Sequence, residues 1–405
     1  MYNIPDMKKF LSVIIAIFLI STCNVFGEGV KNEPDAEVSE IMLEFDATPI
    51  QEISIEEATE IREKTLAEKI EDIKKAECYD YEQKNFLLKE ILTHKFPAES
   101  KLDYTEIWGG YNGDIGLRFR DDGQLTNHYD VNALNIGIDG YFKDNNADFR
   151  FLLGFMPRSH RNFVSTMFSD MYVATNKVPH HRFVLGYTRP PVGKEGGNSA
   201  YTLPFFSRAQ IARNFGNARH VGIRAIGDYS FIDYDIGAYS TDTYFREFLP
   251  GAEFIGWVNF KPLAKTDGKY GKLKIGAGMD AGHRNGDYLV TGVYVGYEYK
   301  KFMANFEWSN ANGYNGSLGY DPNKHASGFY ATLGYMLTKK LQLLVRYDQF
   351  NPDHAIKHNN KREYSVGLNY FIKGQALRLI LNYVFCQNDA ERNSHRIILG
   401  TQIML

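Results

Sequence analysis

Hydrophobic residues alternate with polar or small residues along most of the chain from residue 104 to the C-terminus. In the segment 340–350, for example, the odd positions from Leu341 to Tyr347 are apolar, whereas Gln342, Arg346 and Asp348 are polar. Successive side chains of a β-strand point to opposite faces, so each such segment has one apolar and one mixed face. Turns containing Gly, Asn, Asp or Lys separate the segments, and the pattern therefore predicts antiparallel β-strands.

We predict about sixteen strands, most of them about ten residues long, as expected for a tilted membrane crossing. They are the segments 113–121, 128–142, 147–157, 165–176, 181–188, 218–228, 229–240, 252–263, 271–283, 286–299, 301–312, 326–338, 340–350, 362–373, 376–387 and 394–405. Short connections, such as 338–340 and 373–375, largely alternate with long ones, namely 189–217, 313–325 and 351–361. No helix-period segment follows Leu92, and no repeat of propeller length is present.

A soluble β-sandwich also alternates, but three features favour a membrane barrel. The strands are longer than sandwich strands, one set of connections is short and the other long, and the apolar faces end in aromatic residues. These aromatic residues are Tyr335, Tyr347, Tyr370, Tyr383 and Phe385. Lipid offers no hydrogen-bond partner to the backbone N–H and C=O groups at an open sheet edge, so the sheet must close into a barrel. The predicted fold class is an all-β, transmembrane antiparallel β-barrel of about sixteen strands, with a short N-terminal α-helical periplasmic segment.

The N-terminus, residues 1–27, predicts a signal peptide. Lys8 and Lys9 precede the apolar stretch 10–20, which is too short to span a bilayer, and Val25-Phe26-Gly27 forms the cleavage site. Translation could also start at Met7. Lipidation at Cys23 is an alternative, but Thr22 fits a lipoprotein signal poorly. The protein is therefore expected to be exported.

Residues 28–103 are predicted to be an acidic periplasmic segment, followed by the barrel at 104–405. The segment has 10 Lys and Arg against 21 Asp and Glu, whereas the barrel has 34 against 27. Helical spacing predicts an amphipathic helix over 54–75 and a second helical piece over 81–92. Two alternatives remain for this segment: a charged spacer, or a short coiled coil between subunits. The charge difference indicates that the two parts face different surroundings.

The sequence contains no enzyme motif, and we expect no catalytic residues, no metal site, no cofactor and no nucleic-acid partner. His180 and His181 are neighbours on a strand and face opposite ways, so they suit a turn better than a metal. The three cysteines, Cys23, Cys78 and Cys386, do not form a disulfide framework. A Ser-His pair of the kind found in an outer-membrane phospholipase could assemble on a barrel, but nothing marks one serine for it.

Basic side chains lie on the face opposite the apolar one and are therefore predicted to point into the lumen. By this alternation the lumen-lining residues are Arg118, Arg120, Arg150, Arg182, Arg224, Arg346, Arg378 and Arg396, with Lys272 and Lys274. One sign of charge in a narrow bore concentrates counter-ions, and arginine binds oxyanions through a fork of donors. The alternative is that these arginines pair with lumenal acids such as Asp348. We expect about half of them to do so, and the net positive charge of residues 104–405 indicates that not all of them can.

The longest connection, 189–217, is the third external loop if both termini are periplasmic. It contains Arg189, Lys194, Arg208 and Arg213, with Glu195 as its single acid. Its length suits a loop that folds inward and narrows the pore, and an exposed surface loop is the alternative.

Around this loop the sequence resembles a known family. The segment 184–195 reads VLGYTRPPVGKE, and Ser199, Pro204, Arg208, 211–216 (IARNFG) and 219–223 (RHVGI) follow it. This pattern resembles the phosphate-selective porin O/P family. The resemblance implies a sixteen-stranded trimeric barrel that passes small anions, with Arg208 and Arg213 at the constriction and Arg219 or Arg224 in an arginine ladder. The lysine cluster at the external mouth of the best-studied members is not found here, which leaves a phosphate preference less secure than anion passage.

We therefore predict an integral outer-membrane porin for passive diffusion of small anionic solutes, phosphate being one candidate. The pore constriction and anion-binding residues are expected to be Arg189, Lys194, Arg208, Arg213, Arg219 and Arg224. The expected partners are outer-membrane lipid, two further copies in a homotrimer, and the barrel assembly machinery, which would recognise the alternating end Gly400, Ile403 and Leu405. A carbohydrate-type or general porin, a non-conducting structural or adhesive barrel, and a barrel enzyme are the alternatives.

Overall fold

The computed structural model describes residues 93–143, 146–155, 167–243, 247–266 and 268–404. Within these ranges seventeen strands form one antiparallel sheet. The strands are β1 (Thr93–Lys95), β2 (Leu102–Arg120), β3 (Leu125–Phe142), β4 (Ala147–Gly154), β5 (Phe168–Thr175), β6 (His181–Thr188), β7 (His220–Asp228), β8 (Ile232–Ser240), β9 (Ala252–Phe260), β10 (Lys272–His283), β11 (Asp287–Tyr299), β12 (Phe302–Gly316), β13 (Gly319–Met336), β14 (Leu341–Asn351), β15 (Lys361–Lys373), β16 (Leu377–Asn388) and β17 (Ser394–Met404). The predicted signal peptide and the predicted helices over 54–75 and 81–92 lie outside the described residues.

Strands β2 to β17 form a closed barrel. Each strand pairs with the next in sequence, and β17 pairs with β2, where Ile397 lies opposite Leu117. Closure gives the backbone N–H and C=O groups of both outer strands a partner, which an open sheet in lipid would not. The predicted closed antiparallel barrel of sixteen strands is confirmed.

The short strand β1 completes the sheet at this seam. The last pair between β17 and β2 joins Met404 to Gly110, so β2 extends beyond the end of β17. Residues Thr93 to Lys95 pair with the part of β2 from Tyr104 to Glu106. Strand β1 therefore uses backbone groups of β2 that β17 does not reach.

The outer face of the barrel is apolar, as the alternation predicts. Val345, Val366 and Leu399 are 41%, 47% and 50% exposed, whereas the inward Leu344 and Asp348 are fully buried. Aromatic rings of neighbouring strands form a row on this face with centroid distances from 4.9 to 6.0 Å. The row consists of Phe306, Phe329, Tyr347, Tyr364, Phe385 and His395. Such a row is typical of the interfacial girdle of a membrane barrel.

The connections fall on two rims. The terminal rim carries the ends Leu102 and Met404, the connections 176–180, 229–231, 300–301, 337–340 and 374–376, and the described residues of 143–146 and 261–271. The loop rim carries the connections 121–124, 189–219, 284–286, 317–318, 352–360 and 389–393, and the described residues of 155–167 and 241–251. Short and long connections therefore alternate only in part, because 261–271 is long on the terminal rim and several loop-rim turns are short.

Two predicted boundaries are wrong. The connection 313–325 is not a long loop, because β12 and β13 continue as a hairpin to a turn at 317–318. Its tip shows no apolar alternation because it packs against another loop, as described below. Strand β2 begins at Leu102 instead of residue 113, since Gly109, Gly110 and Asn112 hide the alternation there.

The helices that lie wholly within the described part of the chain are short and belong to the connection 189–219. They are α1 (Lys194–Gly197), a 3-10 turn (Ala200–Thr202) and α2 (Gln210–Phe215). They are too short to produce the helical periodicity that sequence analysis can detect. Among the described residues no helix is long and apolar enough to cross a membrane.

Candidate functional site: the lumen and its inward loop

The connection 189–219, called the inward loop from here on, lies inside the barrel. Side chains of the wall bind its backbone at successive positions. Asn369 Nδ2 donates to the Pro204 carbonyl at 2.9 Å, Arg378 to the Leu203 carbonyl at 3.0 Å, and Asn382 Oδ1 accepts from the Phe206 amide at 2.9 Å. The predicted inward folding of this loop is therefore observed, and strands β15 and β16 hold its middle section.

The segment Pro191 to Glu195 enters the lumen through a turn that requires glycine. Gly193 has φ +72°, and a Cβ atom there would overlap a carboxylate oxygen of Glu307. The same carboxylate accepts from the Lys194 amide at 2.8 Å and from the Tyr330 hydroxyl at 2.8 Å. Glu307, on β12, thus binds the start of α1, where the N–H groups have no partner within the helix.

Glu195 ties the inward loop to itself and to the wall. One of its oxygens lies 2.5 Å from the Arg346 guanidinium, and the other accepts from the Ala209 amide at 2.7 Å. The side chains of Glu195 and Arg346 are only 5% and 4% exposed. Because burial removes water as a competing partner, the pair holds α1 to the wall, and the hydrogen bond from Ala209 fixes the spacing between α1 and the segment before α2.

Apolar contacts and the hairpin tip fix helix α2. Ile211 and Phe215 are buried together with Tyr330 and Phe350 of the wall. The Ser317 hydroxyl, in the β12–β13 turn, donates to the Arg213 carbonyl at 2.9 Å, and the Ser317 amide to the Gly216 carbonyl at 3.2 Å. The hairpin therefore covers the C-terminal end of α2 and satisfies carbonyl groups that have no partner within the helix.

A cavity of about 570 Å³ lies between the inward loop and the wall formed by β2 to β7, with part of β17. Seven arginines line it: Arg150, Arg189, Arg208, Arg213, Arg219, Arg224 and Arg396. The acids among its lining residues are Asp130 and Asp170. Five of the six residues predicted for the constriction are among these arginines, and the other two, Arg150 and Arg396, come from the predicted lumen list. The lining therefore carries an excess of positive charge.

Carboxylates brace several of these arginines. Arg224 Nε lies 2.6 Å from Asp235, and Arg150 Nε lies 2.7 Å from Asp139. The Arg150 guanidinium also lies 5.5 Å from the centroid of the Trp108 ring. Two-point contact with a carboxylate holds the guanidinium plane in place.

Carboxylates beside the inward loop favour the protonated form of two of its arginines. Burial alone would lower the pKa of Arg213, but the Glu363 carboxylate at 2.9 Å outweighs it and raises the pKa above its ordinary value. Arg219 behaves in the same way beside Asp170, at 2.7 Å. Glu363 also binds Arg396 at 2.8 Å, so one carboxylate serves two guanidinium groups.

Arg189 and Arg208 converge on the loop backbone. Arg208 donates to the Asn198 carbonyl at 2.7 Å and to the Glu195 carbonyl at 3.1 Å, and Arg189 donates to the same Asn198 carbonyl. Arg224 in turn donates to the Arg189 carbonyl at 3.1 Å. Two guanidinium groups thus meet at one carbonyl oxygen, at the edge of the cavity.

Lys194, the sixth predicted constriction residue, is not among the residues that line this cavity. Its Nζ lies 5.9 Å from the centroid of the Tyr294 ring, on the side of the loop that faces β10 and β11. Burial lowers its pKa, and the nearby Lys274 ammonium lowers it further. The sequence pattern could not predict this position, because helix α1 directs the Lys194 side chain away from the cavity.

The remaining predicted lumen residues point inward but have different surroundings. Arg118 donates to Ser394, Arg120 to Gln124, Arg182 binds Asp148, and Lys274 binds Asp233 at 2.9 Å, while Lys272 lies opposite Glu298. Arg346 and Arg378 are 6% and 1% exposed and lie beneath the inward loop, so they anchor it and do not face the open lumen. Asp348 accepts from the Gln210 amide at 2.8 Å, so it too binds the loop.

Sequence reasoning missed the carboxylates that position the loop and the arginines, namely Glu307, Glu363 and Asp170. Strand alternation places each of these carboxylates on the inner face, so their inward direction could have been predicted. The groups that they bind could not have been predicted, because these come from distant parts of the chain.

A closed sixteen-stranded antiparallel barrel narrowed by a loop inside its lumen is the architecture of outer-membrane porins. The model of the family described as phosphate-selective porin O and P matches residues 266–404, which contain β10 to β17. The segment 184–223, on which the resemblance noted above rests, lies outside these residues. A comparison with curated proteins found no match.

Solved structures with similar folds are porins and related outer-membrane proteins. An anion-selective porin from Comamonas acidovorans is 11% identical with a TM-score of 0.56, over 74% of this chain and 99% of that one. The outer-membrane protein OmpT of Vibrio cholerae is 11% identical with a TM-score of 0.54, over 77% of this chain and 100% of that one. OmpF of Salmonella typhi is 12% identical with a TM-score of 0.53, over 74% and 98%. At these identities the comparisons establish the fold.

Proposed function

We propose that this protein is an outer-membrane porin that lets small anions diffuse passively and prefers them to cations. The observation that carries the proposal is the cavity between the inward loop and the wall, where seven arginines outnumber the two lining aspartates together with the three carboxylates that brace them, Asp139, Asp235 and Glu363. A passage with low-dielectric walls and one sign of charge concentrates ions of the opposite sign. Guanidinium groups also present paired donors that suit carboxylate and phosphate oxygens.

The comparisons support the same reading. The matching family model carries the description phosphate-selective, and the similar Comamonas acidovorans protein is described as anion-selective. A phosphate preference is a further part of the proposal, and Arg189, Arg208, Arg213, Arg219 and Arg224 are its proposed contacts.

Three other features belong to the proposal. The protein forms a homotrimer, as one described form of the similar Vibrio cholerae OmpT does. The terminal rim faces the periplasm, together with residues 28–103, and the C-terminal strand is recognised during assembly. The protein acts as a channel and not as an enzyme.

The test is the reversal potential of purified protein in a planar bilayer under a KCl gradient. We expect the sign that indicates anion preference, and a smaller preference for Arg219→Gln, which removes a charge from the cavity lining. Arg392→Gln is the matched control, because this side chain is 69% exposed and pairs with Asp122 on the loop rim. Cation preference of the intact protein would refute anion selectivity.

The same preparation separates the alternatives. Absence of conductance steps would indicate a structural or adhesive barrel. Swelling of liposomes in neutral sugars at rates equal to those in anions of the same size would indicate a general or carbohydrate porin. Turnover of phospholipid would indicate an enzyme. For phosphate itself, inhibition of chloride current by millimolar phosphate should be lost in Arg219→Gln.

A further inference from the structure

One buried carboxylate beneath the inward loop has no partner. Asp280, on β10, points inward and is 1% exposed. Neither of its carboxylate oxygens has a hydrogen-bond partner among the described residues. An ionised carboxylate in this condition is far more costly to bury than the neutral acid.

The space around Asp280 is small and mostly apolar. It lines a cavity of about 10 Å³ between the wall and the inward loop, together with Val192, Ile211 and Phe215 from the loop. A cavity of this size holds at most one water molecule. Val290, opposite Asp280 on β11, is another lining residue. The loop thus closes over Asp280 with hydrocarbon.

The charged groups that face Asp280 have the same sign or are already engaged. Glu253, from β9, is a neighbouring charge of the same sign, and the His220 imidazole and the Tyr288 hydroxyl bind that carboxylate. Glu307, from β12, lines the same small cavity and is bound by the loop backbone. Among the described residues, none of these groups offers Asp280 a free positive charge that would compensate its ionisation.

We propose that Asp280 is a proton-operated latch for the inward loop. As a neutral carboxylic acid it allows Ile211 and Phe215 to pack against the wall. When its proton is released to bulk solvent at alkaline pH, the charge draws water beneath the loop and displaces α2. The passage then widens and the arginines of the loop leave their positions, so that conductance rises and anion preference falls. The effect on permeation rests on the proposed porin function, whereas the movement of the loop does not.

The first experiment measures hydrogen exchange of the detergent-purified protein at pH 7 and pH 10, corrected for the intrinsic exchange rate. Peptides covering 205–216 should lose protection by about tenfold or more at pH 10 in the wild-type protein. Asp280→Asn, which keeps the shape and cannot ionise, should retain protection at both pH values. Asp287→Asn, whose side chain is 93% exposed at the loop rim, should behave like the wild type.

The second experiment records single-channel conductance of the same three proteins between pH 7 and pH 10. Conductance should rise with pH in the wild type and in Asp287→Asn but not in Asp280→Asn. Equal pH responses in wild type and Asp280→Asn would overturn the proposal. If Asp280→Asn does not fold, unchanged protection of 205–216 in the wild type at pH 10 overturns it. Absence of conductance together with a pH-dependent exchange in the wild type would contradict the porin function and leave the latch intact.

Discussion

The buried ion pair between Glu195 and Arg346 should determine whether the inward loop stays closed. Arg346→Met keeps most of the side-chain volume and removes the charge. It leaves the Glu195 carboxylate buried, with the Ala209 amide as its remaining hydrogen-bond donor among the contacts described above. It also removes the donors to the Ser207 carbonyl, at 3.2 Å, and to the Thr332 hydroxyl, at 3.1 Å.

The expected effect of Arg346→Met on the free energy of loop closure follows from this geometry. Removing one partner of a buried ion pair costs about 3–5 kcal/mol, because the other charge stays in a poorly solvated site. Since each 1.4 kcal/mol is tenfold in an equilibrium constant, loop opening should increase by roughly two to three and a half orders of magnitude. The double variant Arg346→Met with Glu195→Gln should recover a large part of this loss, because no unpaired charge is then buried.

Hydrogen exchange of peptides covering 194–216 measures loop opening directly. Single-channel recordings should show larger and noisier currents for Arg346→Met. Arg182→Met is the control, since its pair with Asp148 belongs to the barrel wall and does not contact the inward loop. Loop protection in Arg346→Met equal to that of wild type and control would refute the reasoning.

Three further predictions concern the loop and its charge. Gly193→Ala should weaken closure by about 1–2 kcal/mol or more, because it places a side chain at φ +72° and against Glu307, and exchange of 194–216 would show this. Phe206→Ala should lower the free energy of unfolding by about 3–5 kcal/mol, because Phe206 packs in a buried cluster with Ile380; unchanged heat stability on gels would contradict it. Burial lowers the pKa of Lys194, so its charge is lost at a lower pH than that of an exposed lysine. Anion preference should therefore decline as pH rises towards 10. Lys194→Gln should remove the part of the decline that is due to Lys194, whereas Lys340→Gln, at an exposed position, should not.

Period-two alternation predicted the strands, and their length and the aromatic ends of their apolar faces favoured a barrel over a sandwich. An outward residue such as Val366 must be apolar and an inward one such as Asp348 need not be, so the strand positions could be read from the chain directly. The prediction failed where this constraint is absent. At the β12–β13 tip, Tyr314 packs on Phe215 of the loop, with ring centroids 5.2 Å apart, and no lipid imposes a pattern.

The site could be predicted only in part, for a related reason. Alternation shows that an arginine points inward, but it does not show what stands across the lumen. Arg224 and Arg346 have the same parity and similar sequence surroundings. One borders the cavity, whereas the other lies beneath the inward loop because Glu195 reaches it from a distant part of the chain. Long-range pairs of this kind have no local signature in the sequence.

The hydrogen bonds that hold the inward loop come mainly from one half of the barrel, and this makes the bore eccentric. Substitutions on β12 to β16 should alter the stability of the inward loop and thus the width of the bore. Substitutions on β2 to β7 should alter which solutes pass through it. Solute preference could then be re-engineered on the second half, at positions such as Arg150 and Arg224, without loosening the scaffold that defines the aperture.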